Sequence, residues 1–143
     1  MSEVESREIE AYSYGTLTYQ FNGQHRNMNP KKSQWTVSIN NEAAIFQCAA
    51  SWCWLVKDIG CGWGLYIDAN CPQYLGTVPG REQSFIAKFV SDINHNAWHG
   101  YPADYLSNAH DIPPANILIS WVENKFIGNP KMRKIMRGQP CSI

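Results

Sequence analysis

No stretch of this chain approaches the roughly 20 consecutive apolar residues that a membrane-spanning helix requires, so a helical membrane protein is not expected. No charge of either sign predominates. Twelve Lys and Arg balance twelve Asp and Glu over 143 residues, which removes any overall field toward nucleic acid or a membrane surface. There is no Cys-x-x-Cys pair. The five cysteines, Cys48, Cys53, Cys61, Cys71 and Cys141, are odd in number and irregularly spaced, unlike a zinc knuckle or a disulfide framework. Internal repeats and low-complexity segments are also lacking. Residues 1–10 hold Glu3, Glu5, Glu8 and Glu10 without an apolar run, so no export signal is expected. A cytoplasmic chain with reduced thiols follows as the expectation.

What the chain has is aromatic mass. Six Trp, seven Tyr and five Phe, within a hydrophobic fraction of 44%, suffice to close a core. The length suits one domain. We read residues 1–10 as a charged, frayed leader and 11–143 as a single α+β domain. The charge is also unevenly placed. From Lys125 onward the chain carries Lys131, Arg133, Lys134 and Arg137 with no acid, so the C-terminal part offers a local anion-binding surface.

Alternation predicts strands at Thr16–Phe21, with Leu17, Tyr19 and Phe21 inward, and at Gln34–Asn40, with Trp35, Val37 and Ile39 inward. Residues 22–33, with one Gly, one Pro, three Asn and three charges, read as a loop. Asn41 is placed as a helix cap, and Ile45, Cys48, Ala49, Trp52, Leu55, Val56 and Ile59 follow at helical spacing. This predicts a buried helix over about 42–59, ended by Gly60, with Trp52 in the core. Leu65–Ala69 reads as a short strand and Asn70–Gly80 as a long loop. Ser84–Val90 fits either period, and the Asn/Asp-rich 91–96 favours a hairpin in which 97–101 pairs back. Asp111-Ile-Pro-Pro opens a helix with the stripe Ile117, Leu118, Trp121 and Val122; Gly128-Asn129-Pro130 breaks it and starts a last helix ending at Gly138. The fold expected is therefore α+β, a small antiparallel sheet packed against a buried helix, with a C-terminal αα-hairpin.

The densest group of chemically capable residues is 94–104, Asn-His-Asn-Ala-Trp-His-Gly-Tyr-Pro-Ala-Asp, followed by His110 and Asp111. Three of the four histidines fall in this region. An imidazole beside rings, Gly and Pro in a loop is suited to hold a ligand or take a proton. The preferred reading is a small intracellular binding or regulatory module. It would use the loop 94–105, with Trp98, His99 and Tyr101 contacting a protein or small-molecule partner. Lys131, Arg133, Lys134 and Arg137 would add an auxiliary contact, weakly engaging phosphate or nucleic acid. The alternative is a small hydrolase or nuclease with His99 as general base, assisted by Asp104, His110 or Asp111.

Two sharper readings are weighed against core packing of the thiols. Cys61, Cys71, His95 and His99 are four potential zinc ligands, but the spacing lacks a paired motif, and neither metal nor cofactor is expected. Gln47, Cys53 and Trp54 stand at the spacing of the oxyanion-hole Gln, nucleophile and following Trp of papain-like cysteine peptidases, and resemble that family over these three residues. The positions of its second Cys and of the small residue before the nucleophile hold Ala50 and Trp52. The family's His, 130–150 residues further on, has no room in this chain.

Overall fold

The computed structural model describes residues 11–80, 82–94 and 96–143. The leader 1–10 and His95 lie outside the described residues. The fold is mixed α and β, with helices α1 (Ile39–Ser51), α2 (Ala115–Glu123) and α3 (Asn129–Met136). Ten strands are described: β1 Ala11–Tyr14, β2 Leu17–Gln20, β3 Gln34–Trp35, β4 Leu55–Val56, β5 Cys61–Asp68, β6 Cys71–Gln73, β7 Gly76–Thr77, β8 Gln83–Ser84, β9 Ile86–Ser91 and β10 Ala97–Pro102. No helix among them is long and apolar enough to cross a membrane.

The main sheet is larger than the small one expected. It runs β1-β2-β10-β9-β5-β4, with β6 continuing from β5, and curls into a half-barrel. It is antiparallel except where β10 lies parallel to β2, pairing Ala97 with Thr18 and Trp98 with Tyr19. β9 and β10 form the expected hairpin, with His99 opposite Val90 and Tyr101 opposite Lys88. A second sheet, β3-β7-β8, uses part of the predicted 70–80 loop, and β6 uses another part. Ala69 and Asn70 both take positive φ (52° and 66°), which lets two residues turn β5 into β6.

Helix α1 starts earlier and ends sooner than its apolar spacing implies. Ser38, not Asn41, is the cap, its hydroxyl accepting from the Asn41 N–H. Val37 and Ile39 therefore do not extend β3 as predicted. Past Ser51 the chain closes a Schellman motif. Cys53 takes φ 64°, the Trp54 N–H donates to the Ala49 carbonyl at 2.8 Å and the Cys53 N–H to that of Ala50 at 3.3 Å. Leu55 and Val56, counted as helical, pair instead with Gly62 and Cys61. Trp52 is 44% exposed, contrary to its expected core position. The buried ring is Trp54, whose Nε1 donates to Ser120 Oγ at 3.1 Å.

The pleat divides the sheet's side chains between two layers. On the inner face Tyr19, Phe89 and Trp98 pack against Phe46 of α1. The close approach is possible because β10 has Gly100 here. A Cβ on it would stand 2.5 Å from the Phe89 ring and 2.8 Å from the Tyr19 hydroxyl. Trp54 meets Trp121 of α2 edge-on at 5.7 Å, and Ile117 and Leu118 of α2 and Ile135 of α3 are buried. α2 and α3 pack on one another. α2 begins after Pro114, which occupies its cap position without a side-chain bond, and Gly138 takes φ 66° as α3 ends.

Candidate functional site

Register places two rows of side chains on the outer face. One is Trp63, Lys88 and Tyr101; the other is Cys61, Val90 and His99. The first row is closed over. Lys88, 3% exposed, lies 3.6 Å from Asp111 Oδ1, donates to the His110 carbonyl and sits 4.9 Å from the centre of the Trp63 ring. Asp111, 1% exposed, also accepts from the Tyr101 hydroxyl at 2.9 Å and from the Asp104 N–H at 2.8 Å, and Trp63 Nε1 donates to its carbonyl. Asp111 therefore does not cap α2 as its place before two prolines suggested. A buried ammonium needs a counter-charge, and Asp111 supplies it. Burial and the Asp111 carboxylate hold the Tyr101 phenol well above its usual range.

The second row is half-open. His99 lies within β10, not on a loop, and its ring projects beside Val90. It makes no side-chain hydrogen bond or ion pair within the described residues. Partial burial lowers its pKa below the ordinary 6.5 and so favours the neutral ring. A titratable neighbour among the described residues is His25, a residue of the 22–33 loop that sequence reasoning passed over. The His25 ring stacks on Tyr101 with centres 5.3 Å apart, and its Nδ1 donates to the Ser33 carbonyl at 2.9 Å. Burial, and more weakly the proximity of His99 and Lys32, lowers the His25 pKa against the opposing pull of the Ser33 bond.

What brings His25 here is the next residue. Arg26 Nε and one terminal nitrogen reach Glu42 Oε1 at 3.0 and 2.7 Å, and Tyr19 donates its hydroxyl to the same carboxylate. Burial pushes the Glu42 pKa up while Tyr19 and Arg26 pull it down. The loop is thereby tied to α1. Nothing in the local sequence signals this tie, since Arg26 and Glu42 are sixteen residues apart.

The other candidates from sequence fall elsewhere. Trp98 alternates to the inner face and is fully buried, so it does not stand beside His99. The Asp104 carboxylate accepts from the Ser107 N–H at 3.3 Å, and His110 is exposed with its carbonyl turned to Lys88. Neither enters the interactions that set the state of His99. Cys61 shares its face but stands two strands away, about 10 Å by strand spacing, too far for a thiol–imidazole pair. No three His, Cys, Asp or Glu side chains are gathered for a metal among the described residues, and Cys71 is exposed on β6. Gln47 accepts from the Tyr12 hydroxyl, and Cys53 follows the C-terminal end of α1, whereas an activated thiolate wants a helix N-terminus.

The basic helix is also apart from His99. Lys131 lies 5.9 Å from the Phe85 ring centre, at the start of β9, whereas His99 pairs with Val90 near its end. Five residues of strand put about 17 Å between these levels. Arg133 and Lys134 are exposed on α3 and Arg137 is exposed at its C-terminal cap.

No protein-family model matches the chain, and neither a curated protein nor a solved structure matches it.

Proposed function

We propose that this protein is a small binding module, taking a protein or small-molecule partner on the open half of the sheet's outer face. His99 is the central contact, with His25 and Tyr101 as one wall. The observation that carries this reading is the contrast between the two rows. Tyr101, Lys88 and Asp111 are bonded to one another, whereas the His99 ring beside them is half-open and unbonded within the described residues. A neutral imidazole offers one donor and one acceptor, and it is held on a strand, so little ordering is needed on binding. Phosphate contact through Lys131, Arg133, Lys134 and Arg137 belongs to a separate surface and not to this site.

The test is a screen of neutral heteroaromatic fragments followed through the ring nitrogen NMR signals of His25 and His99. Support is a fragment that moves the His99 signals, binds in Lys32→Glu and is lost in His99→Ala with the fold intact. Fragments whose binding is indifferent to His99→Ala would refute the reading.

The second reading is a small hydrolase or nuclease in which His99 is the general base. His25, rather than Asp104 or His110, is then its companion, since among the described residues His25 feels the charge of His99. Cleavage of a single-stranded RNA oligonucleotide should then fall on acidification below 6.5 and vanish in His99→Ala. No cleavage, or cleavage that survives His99→Ala, would rule it out.

A further inference from the structure

The loop that carries His25 has a second side. Arg26, Met28, Pro30, Lys32, Trp35 and Val78 line a groove of about 450 Å³ between the 26–36 segment and β7. Its volume is in the range that small ligands occupy. The groove is apolar in its body, through Met28, Pro30, Trp35 and Val78, and its charged lining residues are both cations. Arg26 commits two nitrogens to one Glu42 oxygen, which leaves its other terminal nitrogen as a donor. Lys32 makes no ion pair within the described residues. The walls are braced. The Trp35 Nε1 donates to the Gly100 carbonyl at 3.2 Å, the Thr36 N–H to that of Leu75 at 3.0 Å, and Gln34 donates to the Gln24 carbonyl and accepts from the Met28 N–H.

From this complementarity we infer that the groove binds a small organic anion, its carboxylate or phosphate at Lys32 and Arg26 and its apolar body against Met28, Pro30, Trp35 and Val78. This site is distinct from the His99 face and does not rest on the function proposed there. Lys32, with no ion pair within the described residues, brings the positive charge that selects the sign of the ligand. Arg26 adds a spare donor while Glu42 offsets its charge, and the apolar walls select against a bare inorganic ion. An anion seated at Lys32 also offsets the positive charge felt by His25, so binding here reads out at a ring outside the groove.

Calorimetry and histidine-ring NMR on the full chain, with phenylacetate, AMP, phenylacetamide and inorganic phosphate as probes, test the assignment. Saturable binding of phenylacetate or AMP is expected, weakened about tenfold in Lys32→Glu, with the His25 signals titrating at higher pH when the anion is bound. Phenylacetate alone assigns the head group as carboxylate, and AMP alone as phosphate. Lys32 is exposed, so its replacement leaves the fold intact, and unchanged binding in His99→Ala separates this site from the one proposed above. The inference is overturned if phenylacetamide binds as well as phenylacetate, if inorganic phosphate binds as well as either organic anion, if Lys32→Glu binds like the parent, or if neither organic anion binds.

Discussion

Lys88 Nζ lies 3.6 Å from Asp111 Oδ1 with both side chains buried, so one ion pair fastens the turn before α2 to the middle of β9. Removing either partner leaves a charge with no route to water. Lys88→Met or Asp111→Leu alone is expected to cost about 3–5 kcal/mol in urea denaturation, and the double replacement less than the sum of the two. Additive losses would show that the two groups do not act as a pair.

The two adjacent tryptophans after α1 should behave differently. Trp54 is buried between Trp121 and Phe126 and bonded to Ser120, whereas Trp52 is 44% exposed and stacks on Trp54 with centres 5.7 Å apart. Trp54→Ala is expected to cost about 3–5 kcal/mol, as deletion of a large core aromatic does. Trp52→Ala should cost about 1 kcal/mol or less. Equal losses in thermal unfolding would overturn the assignment of Trp54 as the core ring.

Trp52 also shows where the sequence misleads. Leu55, Val56 and Ile59 continue the helical spacing of Ile45 and Ala49, so periodicity carries the helix past its true end. The Schellman closure at Cys53 and pairing of Leu55 and Val56 with β5 override it. Cys53 in a left-handed conformation is not a signal that composition provides. β2 and the stripe of α2 were legible, because each buries one face and alternates or repeats accordingly. β9, buried on both faces at residues 86–89, fits either period, and the hairpin was legible from the Asn/Asp-rich turn after it. β6 and β7 were not, being only three and two residues long. Nor was the parallel pairing of Thr18 with Ala97, whose residues are distant in the chain. At the candidate site, His99 and Tyr101 were visible as a cluster in sequence. Their separation from Trp98 required knowing that the segment is a strand, and the arrival of His25 required the Arg26–Glu42 pair.

Acidification should weaken the fold through the two histidines. Each has a folded-state pKa lowered from 6.5, chiefly by burial, so the unfolded chain takes up protons more readily. Their contribution is fully present above 6.5 and is lost as the pH falls through the folded-state values. Glu42 works the other way, because its raised pKa favours folding below 4.5 and that advantage fades as the pH rises. Comparison with the double variant His25→Gln, His99→Gln therefore isolates the histidine part. Stability measured from pH 7 to 5 should decline more steeply in the parent than in the variant. Parallel curves would mean that neither ring changes its affinity for protons on folding.

His99 and Gly100 are neighbours in β10, yet the pleat sends one to the outer face and the other to the core, and their replacements should separate accordingly. His99 has no side-chain bond within the described residues to lose, and its ring is half-open. Its replacement by Ala gives up only partial burial, so His99→Ala should hold its melting temperature to within a few degrees, a change below about 1 kcal/mol. Gly100→Ala adds a single methyl, but one directed at the Phe89 ring and the Tyr19 hydroxyl. Neither obstacle can withdraw. Phe89 is fully buried against Phe46, and Tyr19 is fixed between Phe46, Phe89 and the Glu42 carboxylate. Overpacking of this kind costs about 1–3 kcal/mol and shifts the backbone. The smaller substitution is therefore expected to be the more damaging. A Gly100→Ala variant that melts with the parent while His99→Ala unfolds would reverse the faces assigned to β10, and with them the placing of the site.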